Sequence, residues 1–152
     1  MTFVIVPDDA LRSVIRGNLE ANPPQDQIGF FQQADRTSYQ RSPEPNYQQI
    51  RQEIDAATFV IVGVTGRDPN EFWALEAAAE HQKPYGLILQ TEDLAVWAMM
   101  SLTHRFKPFK FVIGLGKGPR KADSFFKGAR VFTIYQPEHY RLGELIELQI
   151  AA

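Results

Sequence analysis

Five short apolar runs constrain this chain most: Thr2–Val6 (TFVIV), Thr58–Val64 (TFVIVGV), Tyr85–Leu89 (YGLIL), Lys110–Leu115 (KFVIGL) and Arg130–Tyr135 (RVFTIY). The first three are nearly unbroken in apolar residues instead of alternating. A strand reads that way when both of its faces are buried, as in a parallel sheet covered by helices. Ile28–Gln32 (IGFFQ) is a weaker sixth candidate. Between the runs, apolar residues recur on a helical period. In Asp8–Ala21 they are Leu11, Val14, Ile15 and Leu19, and similar stripes run through Tyr47–Ala57, Pro69–His81, Glu92–Leu102 and Pro137–Leu148. Alternating strand and helix predicts one three-layer α/β domain over residues 1–152, Rossmann-like or flavodoxin-like, with a mostly parallel five-stranded sheet. Asp35–Pro45 and Gly114–Asp123 read as loops from their Pro, Gly and polar content.

Composition removes several classes of function. Hydrophobic residues are 44% and charged residues 22% of 152, which fits a globular chain with its own core. Lys plus Arg number 16 against 18 Asp plus Glu, a net charge of −2, so no nucleic-acid partner is expected. The absence of cysteine excludes disulfides, a thiolate nucleophile and Cys-ligated metal. No apolar run approaches membrane-spanning length, and MTFVIVPDD lacks a basic n-region. The expectation is a soluble cytoplasmic protein with no membrane partner, no metal and no cofactor.

The informative stretch is Ile50–Gln90, which reads as helix, buried strand, tight loop, helix, turn and buried strand. Thr65, Gly66 and Arg67 lie where the strand ends, and open α/β sheets bind ligands at the carboxyl ends of their strands. By the same rule Pro7, Asp8 and Asp9 follow the first run, and Gln90, Thr91 and Glu92 follow Tyr85–Leu89. Asp68-Pro69-Asn70-Glu71 is a well-formed helix start with capping-box spacing. That helix N-terminus, with Arg67 beside it, is equally suited to holding a phosphate or carboxylate. Asp68 fits the capping role better, since its charge repels an anion.

Val62, Thr65, Gly66, Arg67, Pro69, Asn70, Phe72, Trp73, Leu75, Ala78, Lys83 and Pro84 form an ungapped pattern. It resembles nucleoside 2-deoxyribosyltransferase-like proteins and the related bacterial TIR-like nucleotide-binding domains. Ile50, Ile54 and Ala57 upstream, and Asp123–Tyr135 downstream, extend the likeness. The resemblance implies a small nucleotide or nucleoside ligand held by Pro7, Asp8, Thr65, Gly66, Arg67, Asp68, Asn70 and Gln90, and a homo-oligomer. Three polar positions depart from the pattern. Gly63 stands where the family has Asp, Asp68 where it has Asn, and Ala74 where it has the helix Glu that acts at the sugar's anomeric carbon. Glycosidic cleavage needs a carboxylate beside the oxocarbenium-like centre, and alanine has none. Glu71 and Glu76 are the neighbouring carboxylates able to substitute. A nucleotide-binding domain with impaired catalysis is the leading expectation; an active glycosidase or deoxyribosyltransferase, or an interaction domain without a small ligand, are the alternatives.

Other features carry less. His81, His104 and His139 lack metal-ligand spacing and read as surface or helix-end residues. Gly114–Gly118 is glycine-rich without the Walker spacing and reads as a mobile basic loop. Trp97, Met99 and Met100 suggest a core or subunit face, while Phe3 and Tyr135 read as packing.

Overall fold

The computed structural model describes residues 2–25, 28–30 and 43–152, with the backbone alone at 28–30, 43–47 and 49. Its strands are β1 (Thr2–Ile5), β2 (Ile28–Phe30), β3 (Phe59–Val64), β4 (Tyr85–Leu89), β5 (Phe111–Leu115) and β6 (Arg130–Ile134). Five α-helices are described: α1 (Asp9–Ala21), α2 (Pro43–Ala56), α3 (Asn70–Glu80), α4 (Leu94–Phe106) and α5 (Leu142–Ala151). All strand pairs are parallel, in the order β2-β1-β3-β4-β5-β6. This is a three-layer α/β fold with flavodoxin-like strand order, extended by β6. The sheet has six strands, not five, because Ile28–Phe30 adds parallel to Thr2–Val4 at the edge. Residues 31–32 of that run, and 35–42 of the expected loop, lie outside the described residues.

The unbroken apolar runs are explained by burial on both sides. Phe3, Ile5, Val60, Val62, Leu87 and Val112 pack under α2, α3 and α4. Val4, Ile61, Ile88, Phe111 and Ile113 pack under α1 and α5 on the opposite face. Strand residues therefore alternate between two cores, and each central strand buries every side chain it has. The edge strand β6 is only partly buried. Among the described residues, no helix is long and apolar enough to cross a membrane.

Several local expectations change. α2 begins at Pro43, inside the expected loop, and prolines at 43 and 45 cost little in a first turn that lacks N–H acceptors. The segment 137–148 is not one helix: a 3₁₀ turn at Pro137–His139 precedes α5. The break is held by Asn18 of α1, whose Oδ1 accepts from the Leu142 N–H at 2.9 Å. Its Nδ2 donates to the carbonyls of Pro137 and Tyr140 at 2.6 and 2.7 Å. His104 does sit in the last turn of α4, but it is buried. Its Nδ1 accepts from Phe109 N–H at 2.9 Å and its Nε2 pairs with the Lys127 carbonyl at 2.8 Å, which fixes the Nε2–H tautomer. Tyr135, read as packing, is 69% exposed.

Candidate functional site

β3 ends in a sharp turn at Thr65-Gly66-Arg67. Gly66 has φ +82°, and a Cβ there would lie 2.5 Å from the Val96 Cγ2, so only glycine fits. The turn leaves the N–H groups of Thr65 and Gly66 without strand partners, and Glu71 satisfies them. Its Oε2 accepts from Thr65 N–H and from the Thr65 hydroxyl, both at 2.8 Å, and its Oε1 accepts from Gly66 N–H at 2.8 Å. The Thr65 hydroxyl in turn accepts from Arg67 N–H at 3.1 Å. Glu71 is 0% exposed, and the carboxylate is the brace of the loop.

The expected capping box is therefore not formed, because Glu71 turns back to the buried strand end instead of to its own helix start. The helix start is closed by Asp68, whose Oδ1 accepts from the Asn70 backbone N–H at 3.0 Å and the Asn70 side-chain amide at 2.9 Å. Burial holds the Glu71 carboxyl above its ordinary value of 4.5, against the lowering effect of the three hydrogen bonds, and the charge of Asp68 pushes the same way as burial. The native state thus binds this proton more tightly than the unfolded chain does. The stability associated with that proton is present below the ordinary value and is lost as pH rises from 4.5 through the raised native value. Above that window its contribution is flat. The difference in melting midpoint between the wild type and Glu71→Gln, measured from pH 4 upward, is expected to move against the wild type across that window and then level off.

Asp8 sits at the end of β1 and caps α1, accepting from Leu11 N–H at 2.9 Å. It also accepts from Arg67 Nη2 at 3.1 Å. The strand order reverses between β1 and β3, so this ion pair bridges the topological switch point. Pro7 is buried, and Asp9 pairs with Arg12 one turn along α1. Lower in the same crevice, the Cβ of any residue replacing Gly63 would meet both Val6 methyls at 3.0 Å and Leu11 Cδ2 at 3.2 Å. The crevice is filled by hydrocarbon where the resemblance places an aspartate.

The open space lies one strand further along. Thr65, Arg67, Gln90, Thr91, Glu92 and Lys117 line a cleft of about 310 Å³ over the carboxyl ends of β3, β4 and β5. Its floor is fixed by the Gln90 N–H bond to the Val64 carbonyl and the Trp97 Nε1–H bond to the Thr91 carbonyl, 2.9 and 3.0 Å. The same indole supports the Gly114–Gly118 segment, since a Cβ at Gly118 would lie 2.9 Å from Trp97 Cζ2. Gly114 and Leu115 belong to β5, so the expected glycine loop begins only at Gly116. A larger groove of about 590 Å³ adjoins the cleft, sharing Gln90 and Gly116, and runs between α1 and Tyr135.

Of the residues expected at the site, the structure brings together Thr65, Arg67 and Gln90 at the cleft and Asp8 beside them through its ion pair. Gly66, Asp68 and Asn70 shape the loop. Glu76 is exposed on the outer side of α3, away from the buried face that carries Ala74, Ala77 and Ala78. Ala74 is itself enclosed in the apolar core. Lys117 lies outside the expected set; the strand-end rule applied to Lys110–Leu115 points to it, because it follows that run by two residues. No His, Asp and Glu grouping suited to a metal is present among the described residues. No protein-family model, no curated protein and no solved structure matches this chain.

Proposed function

We propose that this chain is a nucleotide- or nucleoside-binding domain that does not perform the glycosidic chemistry of the family it resembles. The observation that carries the reading is the cleft itself: two cations, Arg67 and Lys117, outnumber its one carboxylate, Glu92, and share it with Thr65, Gln90 and Thr91. Arginine and lysine flanked by hydroxyl and amide groups suit an anionic group such as a phosphate. The adjoining groove, with its exposed Tyr135 ring, offers room and an aromatic face for the remainder of such a ligand. Impaired catalysis is supported by the packing at positions 63 and 74. Both lie in apolar surroundings that leave a carboxylate no place. Glu71 has both oxygens committed to the loop, and Glu76 faces solvent.

Nucleoside monophosphates are expected to raise the melting midpoint of the purified protein by several degrees, and the matching nucleosides by less. Arg67→Ala and Lys117→Ala should each weaken monophosphate binding about tenfold, equivalent to roughly 1.4 kcal/mol for one lost charged contact. Incubation with NAD or deoxynucleosides should release no free base by chromatography. Release that vanishes in Glu76→Ala would establish an active glycosidase instead, and no ligand response at all would leave the domain an interaction module.

A further inference from the structure

Eight large apolar side chains are exposed among the described residues, and four of them lie on α4: Leu94, Met99, Leu102 and Phe106. Leu102 is 53% exposed and Phe106 77%. The inward face of α4 is accounted for by Val96, Trp97, Met100 and His104. On the outward face Ala95, Ala98, Met99, Leu102 and Phe106 recur at helical spacing, forming an uninterrupted apolar stripe about 16 Å long. Solvated helix faces carry charge, and scattered single hydrophobes need no explanation, but a contiguous stripe of this kind marks an interface.

Charge identifies the occupant. Acidic Glu92 and Asp93 stand at the start of the helix, and basic Arg105 and Lys107 at its end. A second α4 laid antiparallel across the first sets acid beside base at both ends and opposes the two helix dipoles favourably. A two-fold axis near the helix centre then opposes Ala95 to the partner's Phe106 and Met99 to the partner's Leu102, all four positions lying on the apolar stripe. We propose that this face of α4 is a self-association surface that pairs two copies of the chain antiparallel. The proposal is independent of what occupies the cleft.

At about 100 μM the full chain is expected to show twice its 17.3 kDa mass by light scattering, falling toward the single-chain mass on dilution, as suits a small interface. The double variant Leu102→Glu/Phe106→Glu should run as a monomer with an unchanged melting midpoint extrapolated to low concentration, because both side chains are exposed. Orientation is read separately. The chain has no cysteine, so a disulfide reports only on positions introduced. An oxidised mixture of Ala95→Cys and Phe106→Cys chains should give the mixed covalent dimer in large excess over either homodimer. A wild type that stays monomeric, a dimer that survives the double glutamate change, or homodimers forming as readily as the mixed species would each overturn the proposal. In the first case the face belongs to a different protein.

Discussion

Glu71→Ala is expected to lower stability by about 3 kcal/mol, although it removes neither a core hydrophobe nor a residue lining the cleft. The cost comes from the donors left behind. Thr65 N–H, Gly66 N–H and the Thr65 hydroxyl all give their hydrogen bonds to this one carboxylate. Each such group, once buried and unpaired, costs on the order of 1 to 3 kcal/mol, and water entering beside the exposed Gly66 recovers part of the total. For a chain of this size about 3 kcal/mol corresponds to a fall of roughly 10 °C in melting midpoint. Glu71→Gln should fall between, because an amide offers one acceptor and turns its own NH₂ group against the other donor. Urea denaturation of the three proteins checks the order. Equal stability of wild type and Glu71→Ala would show that the loop does not depend on the brace. Ligand binding should suffer with stability, since the same bonds hold the loop that brings Thr65 and Arg67 to the cleft.

The second large effect lies in the middle of the sheet. Gly86 of β4 is covered by the ring of Phe111 from β5, which reaches across it to stack on Phe59 of β3 at 5.6 Å. A Cβ at position 86 would lie 2.5, 2.7 and 2.8 Å from three atoms of that ring. Gly86→Ala must therefore expel Phe111 from a site where it is completely buried, at a cost of about 3 kcal/mol from overpacking and the lost stack. The effect should be specific to the pair. In a Phe111→Leu background the same alanine is expected to cost under about 1 kcal/mol, a coupling that a double-mutant cycle in urea measures directly. Additive losses would place the cause elsewhere, in the strand backbone.

Much of the fold is legible along the chain. The runs at 85–89 and 130–135 match their strands to within one residue, and Asp8 stands as the cap of α1 just as its position ahead of the stripe suggests. Such features are set by neighbours within a few residues, so periodicity reports them. The site was half legible. The strand-end rule located Thr65, Arg67 and Gln90, and its extension to the next strand reaches Lys117. What it missed depends on which space remains empty after packing: Val6 and Leu11 fill the crevice beside Gly63, and the opening moves toward β5. Tyr135 and Tyr85 are both tyrosines at strand ends, yet one is exposed. The other is buried, its hydroxyl giving a 2.6 Å bond to the Lys107 carbonyl and pushed up to about 12 by burial.

The sequence by itself determined the alternation of doubly buried strands with amphipathic helices, and hence the three layers and the face at which a ligand can enter. The tertiary structure alone decided the duties of the polar residues whose partners lie on other elements or turn back from their own helix. Glu71 has the spacing of a helix cap but braces a strand end, and Asn18, deep in α1, shapes the entry to a helix 124 residues away. The physical reason is the same in both cases. A buried donor must find an acceptor, and which one is within reach becomes defined only when the elements have docked.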